Sequence, residues 1–200
     1  MIQPHTDYTG EVFQGLALTQ AQLLSSTFNE CLFENCNFTE AKIQNCRFVN
    51  CQFKNCDLSL AQITDSAFLG IRFENSKIIG INWAQAHWPE RKLWGPLEFK
   101  KCALNHCTFL NVDLASAKIK RCQAVNVDFR GAKLPQADFA FTDLTDSLFQ
   151  KTDLTGTDFR YARNYQIDPS QNQIRGAKFS LPEAMSLLYS MDIELIEDEY

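Results

Sequence analysis

Between Phe28 and Leu58 a large apolar residue stands at every fifth position: Phe28, Phe33, Phe38, Ile43, Phe48, Phe53 and Leu58. A small residue precedes each by two places, at Ser26, Cys31, Cys36, Ala41, Cys46, Cys51 and Cys56. Residues that turn easily, such as Asn35, Asn45, Asn50 and Asn55, follow by two. A period of five fits neither the helix repeat of about 3.6 nor the strand repeat of about 2. It does fit a short extended piece ending in a corner. Residues two apart in an extended chain face the same side, so the small and the large position both point inward. The position two after the large residue becomes the corner, and Gly15, Gly70, Gly80, Gly131, Gly156, Asn75, Asn111 and Asn126 stand there. Glycine and asparagine tolerate the left-handed backbone that such a corner needs.

A chain that turns at each corner winds into a coil, and the same face recurs every twenty residues. Phe13, Phe33, Phe53 and Phe73 form one column, with Phe28, Phe48 and Phe68 beside it. Phe109, Phe129 and Phe149, then Leu114, Leu134 and Leu154, continue the pattern, and cysteines repeat at the same spacing at 31/51, 36/56 and 102/122. A long-range period of this kind marks a solenoid, here four-sided. One register runs from Phe13 to Trp88 and a second from Phe99 to Phe159; eleven residues separate Trp88 from Phe99 where two repeats need ten. The spacing predicts one inserted residue within PERKLWGP, 89–96. Two readings fit the break. It is a bulge, with Trp83 and Trp88 filling a wider interior, or it is an exposed loop whose Arg91, Lys92 and Trp94 meet a partner.

The segments ADFAF, TDLTD, TDLTG and TDFRY within 137–161 resemble the A(D/N)LXX pattern of the pentapeptide-repeat family. That resemblance implies an all-β solenoid, a right-handed quadrilateral parallel β-helix. Twenty-nine inward large positions amount to about seven coils, or about 35 Å at ~4.8 Å per coil. Residues 1–12 are expected to cap the first coil, 13–162 to form the β-helix, and 163–200 to hold a connector, a short helix and a strand. Ser180 and Glu183 have capping-box spacing around Pro182, and DIELI alternates acidic and apolar residues. Family members that dimerise tail to tail carry a similar end. The resemblance therefore implies a homodimer, with Leu181, Leu187, Leu188, Met191, Ile193 and Leu195 as candidate interface residues.

Composition narrows the chemistry. The chain has 200 residues, enough for one domain, and its 16 phenylalanines match the inward columns. All eight cysteines occupy the small inward position and none forms a C-x2-C pair, so they read as buried free thiols rather than metal ligands or disulfides. His106 falls at a corner and points away from Cys102 and Cys107. Phosphate-binding and nucleophile-elbow motifs are lacking, and neither an enzyme, a metal nor a cofactor is expected. Residues 1–12 are polar and include a proline, unlike a secretory signal, which predicts a cytoplasmic protein.

Asp113, Asp128, Asp138, Asp143, Asp153 and Asp158 each precede an inward large residue and should face solvent. They read as a solvated repeat surface that bonds nearby backbone. The family resemblance implies a sharper role. Members such as the albicidin-resistance and Qnr-like proteins imitate duplex DNA, bind DNA gyrase or topoisomerase IV, and protect it from a poison. These Asp residues and the 89–96 loop would then be the contact surface. The alternative is an interaction scaffold with no topoisomerase role. Duplex DNA about 35 Å long carries on the order of 20 negative charges, against a formal net of −5 here. Any mimicry would rest on shape and local Asp rows, and the acidic balance argues against binding nucleic acid itself.

Overall fold

The computed structural model describes residues 2–89, 94–191, 193 and 196. Short strands and single bridges stack in parallel, each in register with the residue one coil further on. The strands Val12–Gln14, Leu32–Glu34, Gln52–Lys54, Arg72–Glu74, Glu98–Lys100 and Lys118–Lys120 form a six-stranded sheet on one face. On a second face Asp7–Thr9, Thr27–Asn29, Arg47–Val49 and Ala67–Leu69 form a four-stranded sheet. The other two faces are built largely of bridges, such as Asn37 to Asp57 and Thr108 to Asp128. Between faces the chain turns at residues with positive φ, from Asn35 at 53° to Gly131 at 67°.

Inside, the large residues stack ring on ring. Phe28 lies over Phe48 with centroids 4.7 Å apart, and Phe33 lies over Phe53 at the same distance. Neighbouring columns meet edge to face, as Phe28 and Phe33 do at 5.4 Å and 67°. Both arrangements suit the ring quadrupole. Each fully buried large side chain contributes about 1.5–3 kcal/mol.

The small inward position also does more than leave room. The Cys51 thiol donates to the Phe28 carbonyl at 3.2 Å, and the Cys36 thiol to that of Phe13 at 3.3 Å. Ser76, Thr152 and Thr157 repeat the bond with hydroxyls, to the carbonyls of Phe53, Phe129 and Leu134. Every one of these bonds reaches back 23 residues and satisfies a buried carbonyl of the preceding coil. A small side chain with a weak or strong donor is what this place selects.

The register break holds six extra residues, not one. Phe73 pairs with Phe99, 26 residues on, while Phe53 to Phe73 and Phe99 to Ile119 keep the spacing of 20. Lys77 to Ala103 and Asn82 to Thr108 show the same offset. A five-residue period cannot separate an insertion of one from an insertion of six. The excursion falls on a single face. Its four-stranded sheet stops at Ala67–Leu69, His87 donates one bond to the Ser66 carbonyl, and the face resumes with the Asp113–Lys133 bridge. Trp83 stays inside, stacked on Phe109 at 5.7 Å and 6°. Trp88 packs half-buried against the edge of the core, its indole N–H donating to the Trp83 carbonyl at 2.8 Å.

Both ends differ from expectation as well. Tyr8 stacks on Phe28, and Asp7–Thr9 already forms a rung, so the first coil begins within the segment expected to be a cap. Past Ala162 the coil continues where a connector was expected. Arg163 bridges Asp143, Gln173 bridges Asp153, and Asp158–Phe159 pairs with Lys178–Phe179. Asn164 and Pro169 stand where the repeat calls for large apolar residues, which hid this coil; Tyr165 and Ile167 fill the interior instead. Phe13, Phe33, Phe53, Phe73, Phe99, Ile119, Phe139, Phe159 and Phe179 thus mark about eight turns, roughly 38 Å of solenoid at ~4.8 Å each.

The expected helix is a 3-10 turn, Glu183–Met185, running into Ser186–Tyr189. Its N-cap residue Pro182 has no side-chain cap bond, so the capping box does not form. Ser180 Oγ instead accepts from the Tyr161 N–H at 3.3 Å, and the Glu183 carboxylate accepts from the Asn164 N–H. Each partner lies 19 residues on, where a further coil would offer a carbonyl, as Arg175 does to Gly156. The two side chains cap the solenoid. Of the DIELI segment, Asp192, Glu194 and Leu195 lie outside the described residues.

Candidate interaction surfaces

The repeat places each outward Asp just ahead of an inward residue, and coil geometry then assigns it a face. Asp113 and Asp153 share one face with Lys133 between them. Asp138 and Asp158 bridge each other on a second, Asp128 sits between Thr108 and Leu148 on a third, and Asp143 between Gln123 and Arg163 on the fourth. The six residues predicted as one surface therefore point four ways, and the only adjacent pair among them is Asp138–Asp158.

Each has a local structural task. The Asp carboxylate accepts from the N–H two residues on, at Ala115, Arg130, Ala140, Thr145, Thr155 and Arg160, over 3.0–3.2 Å. These bonds brace the turn that follows. Ion pairs among the described residues include Asp128 with Arg130 at 2.8 Å, Asp138 with Lys120 at 2.8 Å, Asp143 with Arg163 at 3.1 Å and Asp158 with Arg160 at 2.7 Å. Bonds from Arg130 and Arg160 hold the Asp128 and Asp158 carboxyls below the usual carboxylate range. Burial pushes Asp143 the other way, but bonds from Thr145 and Asn164 leave it lowered too. At these four positions the outward charge is locally matched.

The excursion supplies a different kind of site. Arg91 and Lys92 lie outside the described residues. Trp94 is half-buried, with the Arg47 guanidinium 5.0 Å from its ring centre. Where the rung is missing, a cavity of about 310 Å³ opens between Phe68 and Leu114, walled by Trp88, Trp94, Pro96 and Leu97.

At the C-terminal end, Leu181, Leu188, Met191 and Ile193 are exposed while Leu187 packs against the core; Leu195 lies outside the described residues. Two exposed aromatics, Phe141 and Tyr161, were not singled out in the sequence, although both occupy corner positions in ADFAF and TDFRY. An aromatic where the repeat prefers glycine or asparagine was the available signal. Among the described residues, no three His, Cys, Asp or Glu side chains stand close enough to hold a metal ion, and no helix is long and apolar enough to cross a membrane.

Fold and surface define a four-sided parallel β-solenoid built on five-residue repeats. The chain belongs to the pentapeptide-repeat family, whose repeat-region model matches residues 21–95 and 81–159. A trypsin-treated variant of QnrB1, a plasmid-mediated fluoroquinolone resistance protein, aligns over 98% of both chains with a TM-score of 0.75 and 18% identity. A second trypsin-treated QnrB1 variant gives a TM-score of 0.61 at 19% identity, over 97% of this chain and 100% of that one. HetL, a pentapeptide repeat protein involved in heterocyst differentiation regulation in the cyanobacterium Nostoc sp. strain PCC 7120, gives 0.52 at 13% identity over 87% and 85%. At such identities the likeness is one of fold. No functionally curated protein is detectably similar in sequence.

Proposed function

We propose that this protein binds DNA gyrase, or the related topoisomerase IV, in place of duplex DNA and protects it from a poison of the albicidin or quinolone type. The observation that carries the reading is the alignment with a fluoroquinolone resistance protein over 98% of both chains. The rod of roughly 38 Å spans about one turn of duplex, ~34–36 Å, so the mimicry is one of rod shape over about one turn. The Asp distribution shapes the mechanism. With four of its outward Asp carboxylates paired to Lys120, Arg130, Arg160 and Arg163 and a formal net charge of only −5, the rod does not reproduce DNA's charge density. It presents alternating charges that a basic groove can exchange for its own pairs. No chemical step is involved, no cofactor is needed, and the protein works in the cytoplasm as a homodimer joined at its C-terminal ends.

Immobilised protein titrated with purified gyrase tests this directly. Binding that linear duplex DNA competes away is expected; absence of binding, or binding indifferent to DNA, contradicts it. The likeness to HetL, a regulator of differentiation, supports a second reading, an interaction scaffold with another target. Under that reading gyrase does not bind at all.

A further inference from the structure

One corner of the solenoid departs from the residues used at the others. It runs Asn35, Asn55, Asn75, Lys101, Arg121, Phe141 and Tyr161, and Leu181 follows one coil on. Phe141 and Tyr161 hold φ of 62° and 61°, the left-handed region in which a bulky side chain is strained. The strain serves no core, because the two rings are 45% and 63% exposed. They stack on each other, centroids 4.8 Å apart at 14°, and the Arg121 guanidinium lies 4.5 Å over the Phe141 ring. Leu181 extends the ridge with 80% exposure. Among the described residues Lys101 and Arg121 make no ion pair, while Lys100, Lys118, Lys120 and Arg160 on the adjoining face are all matched.

We infer that this corner is the receptor for residues 192–200 of a second copy of the chain. The ridge offers unmatched cations at one end and apolar surface at the other. Residues 192–200, DIELIEDEY, interleave Asp192, Glu194, Glu197, Asp198 and Glu199 with Ile193, Leu195, Ile196 and Tyr200, and contain no basic residue. Charge and hydrophobicity are therefore complementary over the same short stretch. Reach is sufficient: three rungs separate Leu181 from Arg121, about 14 Å at ~4.8 Å each, and nine extended residues span about 30 Å. Two copies meeting end to end would cover Leu188, Met191 and Ile193 and bring each segment beside the other copy's last coils, as an isologous pair requires. The inference rests on the reading of the C-terminal end as a self-association surface and is independent of gyrase.

Sedimentation velocity of the full-length chain over a concentration series tests it, with a glutamate-specific protease reporting on residues 192–200. The variants are Phe141→Asn with Tyr161→Asn, and Lys101→Gln with Arg121→Gln. Asparagine suits the left-handed corner, so thermal melts of the first variant should remain cooperative. The expected result is a monomer–dimer equilibrium whose dissociation constant rises at least about tenfold in either double variant. Cleavage after Glu194 and Glu197 should slow as the dimer fills. A dimer unchanged in both variants overturns the corner assignment and leaves self-association standing. Protection independent of concentration also overturns it, because the chain's own tail would then occupy the corner. A monomer at every concentration removes both.

Discussion

At the scale of single residues, the same side chain often serves the turn and the surface at once. Asp158 accepts from the Arg160 backbone at 3.0 Å and pairs with its guanidinium. Asp158→Asn keeps the backbone acceptor and should cost about 0.5 kcal/mol, the worth of an exposed pair. Asp158→Ala loses the turn bond as well and should cost about 1 kcal/mol more. Urea denaturation of the two variants separates these contributions. Because the Asp128 and Asp158 carboxyls are lowered in the folded state, their contribution is complete above the unfolded value of about 3.9 and disappears as pH falls through the folded value. Denaturation midpoints should drop below about pH 4, less steeply in the Asp128→Asn/Asp158→Asn double variant. The thiols behave oppositely. Burial pushes Cys51 and Cys107 up to about 12, so stability present below the unfolded thiol value of about 8.5 is lost as pH climbs toward the folded one. A thiol reagent at about pH 8 should leave both unlabelled in the native protein and label them on unfolding; rapid labelling of native protein would contradict their burial. The sequence showed that cysteine belongs at the small position. It hid the bond to the carbonyl 23 residues back, which only the wound chain brings within reach.

At the scale of the coil, periodicity exposed the architecture and concealed its exceptions. Six extra residues between Phe73 and Phe99 look like one to a pattern of five, and the pairing of the wound chain, with Asn82 bridging Thr108 and Trp83 stacked on Phe109, fixes which face carries them. Trp83→Ala should cost about 3–5 kcal/mol, whereas a change at half-buried Trp94 should cost far less; thermal melts compare the two. The last coil was hidden for a different reason. Asn164 breaks the apolar column, and its N–H is met by the Glu183 carboxylate rather than by another rung. Ser180 and Glu183 carry the spacing of a helix cap, but Pro182 follows Ser180, the helix is short, and an open coil end competes for the same acceptors. Glu183→Ala should destabilise by about 0.5–1.5 kcal/mol through the lost bond to the exposed Asn164 N–H. Amide exchange should quicken at Asn164 and Tyr161 and leave the central coils unchanged.

At the scale of the molecule, about eight turns make a rod whose stability is a sum of neighbouring layers. The shape was legible in the sequence because every coil repeats it. The interaction surface was less so: the twenty-residue period already spreads Asp113, Asp128, Asp138 and Asp143 over four faces, but the pairing of Asp138 with Lys120 and of Asp143 with Arg163 exists only in the wound chain. Charge matching has a consequence for function. Replacing Asp128, Asp138, Asp143 and Asp158 with asparagine preserves the turn acceptors while freeing four cations, and should weaken gyrase binding about tenfold or more without unfolding the rod. The central claim is best tested by a gyrase supercoiling and cleavage assay, with the protein titrated in the presence and absence of albicidin or ciprofloxacin. The account predicts that supercoiling is restored and drug-induced breaks decline at low protein concentration. Breaks and supercoiling unaffected by the protein at any concentration, with both drugs, would contradict it.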